Sequence, residues 1–411
     1  MKISDFSKKY GVPIDTIRYY IDSSLLTPQK NHNRYVFDEV TEKQMEQILE
    51  LKELKFTISE ISKILSIERI NQIMTKRKRN YFQKFFTEKY NDLTQEKNKI
   101  EEAINIIKNK LDKLKKIEIK NETKVGFPIK HINLLSCPKC GSSLSLNADK
   151  IENNQIFSGE LNCKCGIEVE IDDGILIFEG ADKSSKHEDL EKEIEDFYNK
   201  DSTPRFTSAF YKGLGWIKND ILNYINNDKI VLELSTASGF LPFYKRDNDK
   251  KNIYIINQKQ LAFTKFLKNN LKEQTDSLDN VIFTVGNMSS IPIKQNSIDY
   301  VIDIFASANN LAGKDHIPAD VVKKYMKENA LFYSLDVYFD DWAKSLKNFD
   351  KEERKFFTIS SKDNLYKEAG FENYKSTIID ILTETGSHAT AHITGEKFYI
   401  YTHIKKIKKE L

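Results

Sequence analysis

From Lys76 to Val125 the chain contains neither glycine nor proline. Stepping four and three residues in alternation from Phe86 reaches Tyr90, Leu93, Lys97, Ile100, Ile104, Ile107, Leu111 and Leu114, and eight of those nine positions are apolar. Four heptads with one charged interruption are the pattern of a coiled coil. At ~1.5 Å per residue, a helix of about 40 residues reaches ~60 Å. An apolar stripe that long needs a partner, either a second copy or another part of the same chain. The cluster Lys76–Arg79 at its start reads as phosphate contacts or as solvated charge.

A length of 411 residues fits two to four domains. With 39% hydrophobic and 30% charged residues, the chain is globular with some exposed, highly charged helix. The net charge of +3 hides an asymmetry: residues 1–124 hold 26 Lys+Arg against 19 Asp+Glu, about +7, which leaves about −4 for the rest. A basic first third predicts a polyanion partner for the N-terminus only. The start, MKISDFSKKYG, has no apolar core of a signal peptide, and no apolar run approaches the ~18 residues of a membrane span. The expectation is a cytoplasmic protein with no membrane partner, its four cysteines held as thiols and spaced for metal.

SDFSKKYGVPIDTIRYYIDSSLL opens on Ser4, an N-cap candidate, ahead of Phe6 and Tyr10. Gly11 breaks that helix, and Pro13 leads into a second through Ile14, Ile17 and Ile21. Two short helices joined at a glycine make a helix-turn-helix pattern. The second exposes Thr16, Arg18 and Tyr19, a set suited to phosphate and base edges. LTPQKNHNRYVFDE then offers a small wing carrying Lys30, Arg34 and Tyr35, and an amphipathic unit follows with Ile48, Leu51 and Leu54. Thr57 and Glu60 are spaced as a capping box. The order of helix, GV, helix with IRYY, LL.P, RY, F and LK.L.F...EI..IL resembles the MerR family of transcription regulators. That resemblance implies a winged helix-turn-helix over residues 1–75, with DNA contacts at Arg18, Tyr19, Tyr20, Arg34 and Lys52. It also implies an antiparallel dimer through the helix at 76–124, binding to double-stranded promoter DNA, and RNA polymerase as a partner.

LLSCPKCGSSLSL pairs Cys137 with Cys140, and NCKCGIEVEIDDGILIF pairs Cys163 with Cys165, each pair trailed by a glycine. Four thiolates suit tetrahedral, structural zinc with no position left open. The second pair is CxC, tighter than CxxC, and His131 is a substitute ligand distant in sequence. Residues 130–180 resemble the small zinc ribbons found with, or fused in front of, RNA methyltransferases, notably the bacterial 23S rRNA guanine-N1 methyltransferases.

Beyond the charged stretch KHEDLEKEIEDFYNKD, strands and helices alternate: KIVLEL, NIYIIN, VIFTVGNM, IDYVIDIFA and ALFYSLDVYF, then KSTII and KFYIYTHIKK as a closing pair. Alternation predicts a doubly wound α/β sheet. Residues 185–411 resemble class I S-adenosylmethionine-dependent methyltransferases. The resemblance places the cofactor at Glu233, at the loop Ser235, Ala237 and Gly239, at Asn257 and at Asn287. Two glycine positions of that loop are serine and alanine, whose Cβ atoms crowd a ligand and strain any positive φ by ~1 kcal/mol or more. Asn257 stands where an acid holds ribose hydroxyls, and a bond to it lacks charge assistance. Asn287 replaces an acid by the adenine amino group. Ser307, Ala308, Asn309 and Asn310 follow the fourth strand as candidate pocket lining. Phe240, Phe243 and Tyr244 read as helix core or pocket wall, and His388 with His392 as strand or loop rather than a metal pair.

The chain is thus expected to be multidomain: a winged helix-turn-helix, a long coiled-coil helix, a small zinc ribbon and a Rossmann-like methyltransferase fold. The favoured function is a dimeric MerR-type regulator whose methyltransferase-like domain senses a small-molecule effector. The alternative is an active S-adenosylmethionine-dependent methyltransferase, acting on rRNA or a small molecule and linked to drug resistance, that carries a DNA-binding arm.

Overall fold

The computed structural model describes residues 1–31, 34–70, 75–116, 124–184, 190–225, 228–234, 241, 245, 251–274, 277–305, 316–387 and 389–408. The chain divides into two compact units, Met1–Glu118 and Ile119–Leu411.

In the first unit, α1 (Ile3–Tyr10) ends on Gly11, whose φ of 63° gives the left-handed cap that a side chain would resist. Ser4 lies inside the first turn, and the N-cap position falls to Lys2, which makes no side-chain cap. α2 (Ile14–Asp22) follows, then a two-stranded ribbon of β1 (Gln29–Asn31) and β2 (Arg34–Val36), paired antiparallel. α3 (Glu39–Glu53) is capped by Asp38, whose carboxylate accepts from the Thr41 amide at 2.9 Å. The capping box of α4 (Ile58–Ile70) forms reciprocally: Thr57 N–H donates to Glu60 Oε2 at 2.7 Å and Glu60 N–H to Thr57 Oγ1 at 3.3 Å. Phe6, Ile17, Phe37, Met45, Ile48 and Ile61 form the core, with Phe6 and Phe37 stacked at 4.3 Å. The long helix α5 runs from Lys76 to Lys115, 40 residues with none buried. Lys116 is its C-cap, and residues 117–123, which the expected boundary at 124 takes in, lie outside the described residues.

The second unit is built on one sheet of 12 strands among the described residues. It begins with β3 (Phe127–Pro128), β4 (Ser145–Glu152), β5 (Gln155–Asn162), β6 (Glu168–Asp172) and β7 (Ile175–Ile177). Then come α6 (Leu190–Asp196), α7 (Pro204–Tyr224), β8 (Ile230–Leu234), β9 (Ile253–Gln258), α8 (Leu261–Gln274), β10 (Val281–Val285), β11 (Ile298–Ile304) and α9 (Pro318–Val322). β12 (Met326–Phe339), α10 (Ile359–Glu368), β13 (Phe371–Leu382) and β14 (Phe398–Ile407) complete it. The strand order is β13-β14-β12-β11-β8-β9-β10-β7-β6-β5-β3, with β4 on β5. β8 to β12 pair parallel, and every residue of β10 and β11 is buried, as strands covered on both faces must be. β14 enters antiparallel between β12 and β13.

The cysteine ribbon is not a separate lobe. Ile175–Ile177 of β7 pairs parallel with Phe283–Val285 of β10, so the sheet runs on from the α/β part into the ribbon.

Between α10 and β12 lies a buried ion pair: Lys362 Nζ meets Asp336 Oδ2 at 2.6 Å, with both side chains 2% exposed. Ser334 and Tyr338 donate to the same oxygen at 2.6 and 3.3 Å. Removing one partner strands a buried charge. Asp336→Ala is expected to cost the second unit about 3–5 kcal/mol in urea unfolding, against under ~1 kcal/mol for Glu372→Ala in the exposed Lys406–Glu372 pair.

Candidate functional site

α2 is held by its buried side. Ile17 and Tyr20 enter the core, and Arg69 of α4 donates to the carbonyls of Ser24 (2.6 Å) and Leu25, fixing the turn that follows α2. The opposite side carries Arg18 and Tyr19, both exposed, while Thr16 is half-buried. Arg18 makes only a surface contact, 3.3 Å to Asp15. Such a pair is weak and gives way to a phosphate. Tyr20 departs from the expectation. It is 1% exposed, and its hydroxyl accepts from Lys52 Nζ at 3.3 Å. Adjacent helix positions point ~100° apart, so in IRYY one tyrosine faces in while its neighbour faces out. Lys52 is exposed, as are Lys30 and Arg34 on the ribbon, and Lys30 lies 5.0 Å over the half-buried Tyr35 ring. The face is cationic and aromatic, with donors for phosphate oxygens and base edges.

The four cysteines converge. Their sulfurs all lie within 4.8 Å of one another, with Cys137–Cys165 at 3.4 Å and Cys140–Cys163 at 3.5 Å. Tetrahedral zinc with ~2.3 Å bonds separates its sulfurs by about 3.8 Å. Gly141 and Gly166 behind the pairs take φ of 73° and 88° with open space around them, so backbone conformation is what requires glycine there. Hydrogen bonds from Ser142, side chain first and then backbone, hold the Cys140 thiol below its ordinary value. The donor set fits structural zinc and leaves no open position. His131 is no part of it.

The cofactor-type crevice is harder to reconcile with a ligand. Ligands of doubly wound sheets lie outside the carboxyl ends of the strands. Glu233, near the end of β8, is fully buried. Ser235, Ala237 and Gly239 lie outside the described residues, as do Phe240, Phe243, Tyr244, Ser307, Ala308, Asn309, Asn310 and His388. Asn257 is 4% exposed and turned onto the neighbouring strand: its Oδ1 accepts from Thr284 Oγ1 at 2.8 Å and its Nδ2 donates to the Gly286 carbonyl at 3.4 Å. Both ends of this carboxamide are thus engaged within the protein. Asn287 is half-buried, donates its N–H to the Glu179 carbonyl at 2.9 Å, and packs its side chain against Gly180. His392 is tied to the Glu396 carbonyl at 2.9 Å and lies over Phe339.

Residues 1–68 match the family model for MerR HTH family regulatory proteins. They form a MerR-type helix-turn-helix domain. No curated protein matches the chain. Similar solved structures include a putative sarcosine dimethylglycine methyltransferase from Galdieria sulphuraria, 11% identical over 54% of this chain and 99% of that one, TM-score 0.41. A complex between the Haloferax volcanii Trm112 methyltransferase activator and a putative methyltransferase is 15% identical over 50% and 97%, TM-score 0.33. Geranyl diphosphate C-methyltransferase from Streptomyces coelicolor A3(2) is 10% identical over 55% and 86%, TM-score 0.36. These likenesses are slight, and the reading of the second unit rests on its own strand order. Among the described residues no helix is long and apolar enough to cross a membrane.

The cysteine tetrad gives a direct expectation. The purified chain carries one zinc per molecule by elemental analysis, and Cys163→Ser loses it with a fall in the second unit's melting temperature. A metal-free wild-type chain of unchanged melting temperature contradicts this.

Proposed function

We propose that the chain is a dimeric, MerR-type regulator of transcription, in which the second unit senses an effector and does not turn over a cofactor. The observation that carries the reading is the MerR match at residues 1–68 together with the exposed Arg18 and Tyr19 on the core-anchored helix α2. Promoter DNA is the partner this face suits, and RNA polymerase follows from the family resemblance.

The dimer is supported by α5. Ile100, Ile104, Ile107, Leu111 and Leu114 are each 45% or more exposed in the single chain. Near the start of α5 an apolar groove of about 470 Å³, lined by Leu54, Phe56, Phe86, Tyr90 and Leu93, continues the same stripe. A second copy running antiparallel covers both. Against turnover stand the engaged Asn257 and the contact of Asn287 with the chain's own backbone.

Two measurements test this. Arg18→Ala is expected to weaken binding to the protein's own promoter by about 1–3 kcal/mol, or to lower the salt slope by about one if the contact is to phosphate; unchanged affinity and slope in a gel-shift titration refute it. Ile104→Asp with Leu111→Asp is expected to give monomers by light scattering and to abolish high-affinity DNA binding, because two half-sites need two reading helices. Methyl transfer by the wild-type chain to any acceptor would defeat the sensing role and leave the DNA-binding one standing.

A further inference from the structure

The chain that leaves the cysteine ribbon crosses the carboxyl ends of β9 and β10. Phe178 N–H donates to the Val285 carbonyl at 3.0 Å, and Asn287 N–H donates back to the Glu179 carbonyl at 2.9 Å. Asp182 N–H then donates to the Lys259 carbonyl at 2.8 Å, and Leu261 N–H to the Asp182 carbonyl at 2.9 Å. Residues 181–183 therefore lie as a short parallel bridge against the turn that follows β9, while residues 178–180 cover the exit of β10.

Two glycines allow the close approach. A Cβ on Gly180, at φ 82°, would sit 2.2 Å from Asn287 Cγ; a Cβ on Gly286, at φ 153°, would meet the Phe178 ring at 2.4 Å. The Asp182 carboxylate closes a local turn by accepting from Ser184 N–H at 2.9 Å.

In a doubly wound sheet the end of the second strand is where a nucleoside's ribose is held, at the carboxyl-end crevice. Here that place has a tenant from the same chain. We propose that residues 179–184 are a built-in strap that fills the nucleoside half of the crevice, so that an adenosine-bearing ligand binds this unit only when the strap is displaced. The backbone groups at Lys259, Leu261 and Asn287, which line the ends of β9 and β10, are already paired with the strap, and the Asn257 amide is paired beneath them. A nucleoside in this position must replace those hydrogen bonds as well as expel the segment. The inference rests on the second unit alone: a failure of DNA binding would leave it untouched.

The test uses the intact full-length chain with S-adenosylhomocysteine as the probe, followed by calorimetry and hydrogen–deuterium exchange. In the free wild-type protein the amides of Asp182, Leu261 and Asn287 are expected to exchange slowly. Any binding at millimolar probe is expected to speed them at least tenfold. Gly180→Ala with Asp182→Pro, which drives a Cβ into Asn287 and removes the donor to Lys259, is expected to bind the probe at least tenfold more tightly than wild type. Asp182→Pro alone, breaking one hydrogen bond, is the milder variant should the double one fail to fold. Fast exchange at these amides in the free protein overturns the proposal. So does wild-type binding with all three still slow, or a folded variant that binds no more tightly than wild type.

Discussion

Parallel pairing between β7 and β10 governs the layout of the second unit, because it fixes the end at which the ribbon hands over to the rest of the chain. Strands that run the same way leave the sheet at the same edge. The peptide after Ile177 therefore emerges beside the peptide after Val285, at the carboxyl ends where a doubly wound sheet keeps its ligands. An antiparallel ribbon would have released its exit at the opposite edge and left the crevice clear. The ladder itself demands side chains that tolerate cover on both faces, and Ile175, Leu176 and Ile177 meet β10 as a wholly buried run. Three residues of strand thus decide what can approach β9 and β10.

The ladder is kept in register by a contact just before it. Lys268 of α8, 1% exposed, places its ammonium 2.7 Å from Asp173 Oδ2 and against the Asp173 carbonyl. A buried ammonium without such acceptors would cost several kcal/mol, so α8 and the turn before β7 hold each other in place. Gly174, at φ 71°, has the Gly126 Cα 2.4 Å from where its own Cβ would be, which forbids any side chain in that turn. The ribbon is therefore docked by a charge, a tight turn and a ladder, with a further bridge from Leu135 to Ile293 just ahead of the first cysteine pair.

Local rules made a good part of this legible from the residues. Gly11 as a helix break, the Thr57–Glu60 box and the two cysteine pairs are short-range devices that spacing and residue type disclose. The heptad stripe on α5 and the alternation of β8 to β12 are periodicities, and periodicity survives into structure. What the residues did not disclose is non-local or directional. Nothing in DGILIF names a strand partner more than 100 residues on. In IRYY the helix pattern exposes Tyr19, the family resemblance adds Tyr20, and only the packing of α2 assigns Tyr20 to the core.

Asn257 shows how a substitution can change meaning once its neighbours are known. Judged against an acid that accepts from ribose hydroxyls, asparagine is a weaker acceptor. Judged against Thr284 and Gly286, it is the side chain of that shape which satisfies both: it takes the threonine hydroxyl and gives to the glycine carbonyl. A carboxylate there could only accept. It would face the Gly286 carbonyl with like partial charge at 4% exposure, which is an expensive place for an ion. The residue suits a sheet whose carboxyl end is closed by its own chain. At Asn287 Gly180 is set against the side chain, and the backbone N–H donates to the Glu179 carbonyl. Two changes that look like erosion of a ligand site thus both meet the chain's own groups, and the segment packed against Asn287 is the strap delivered by the ribbon.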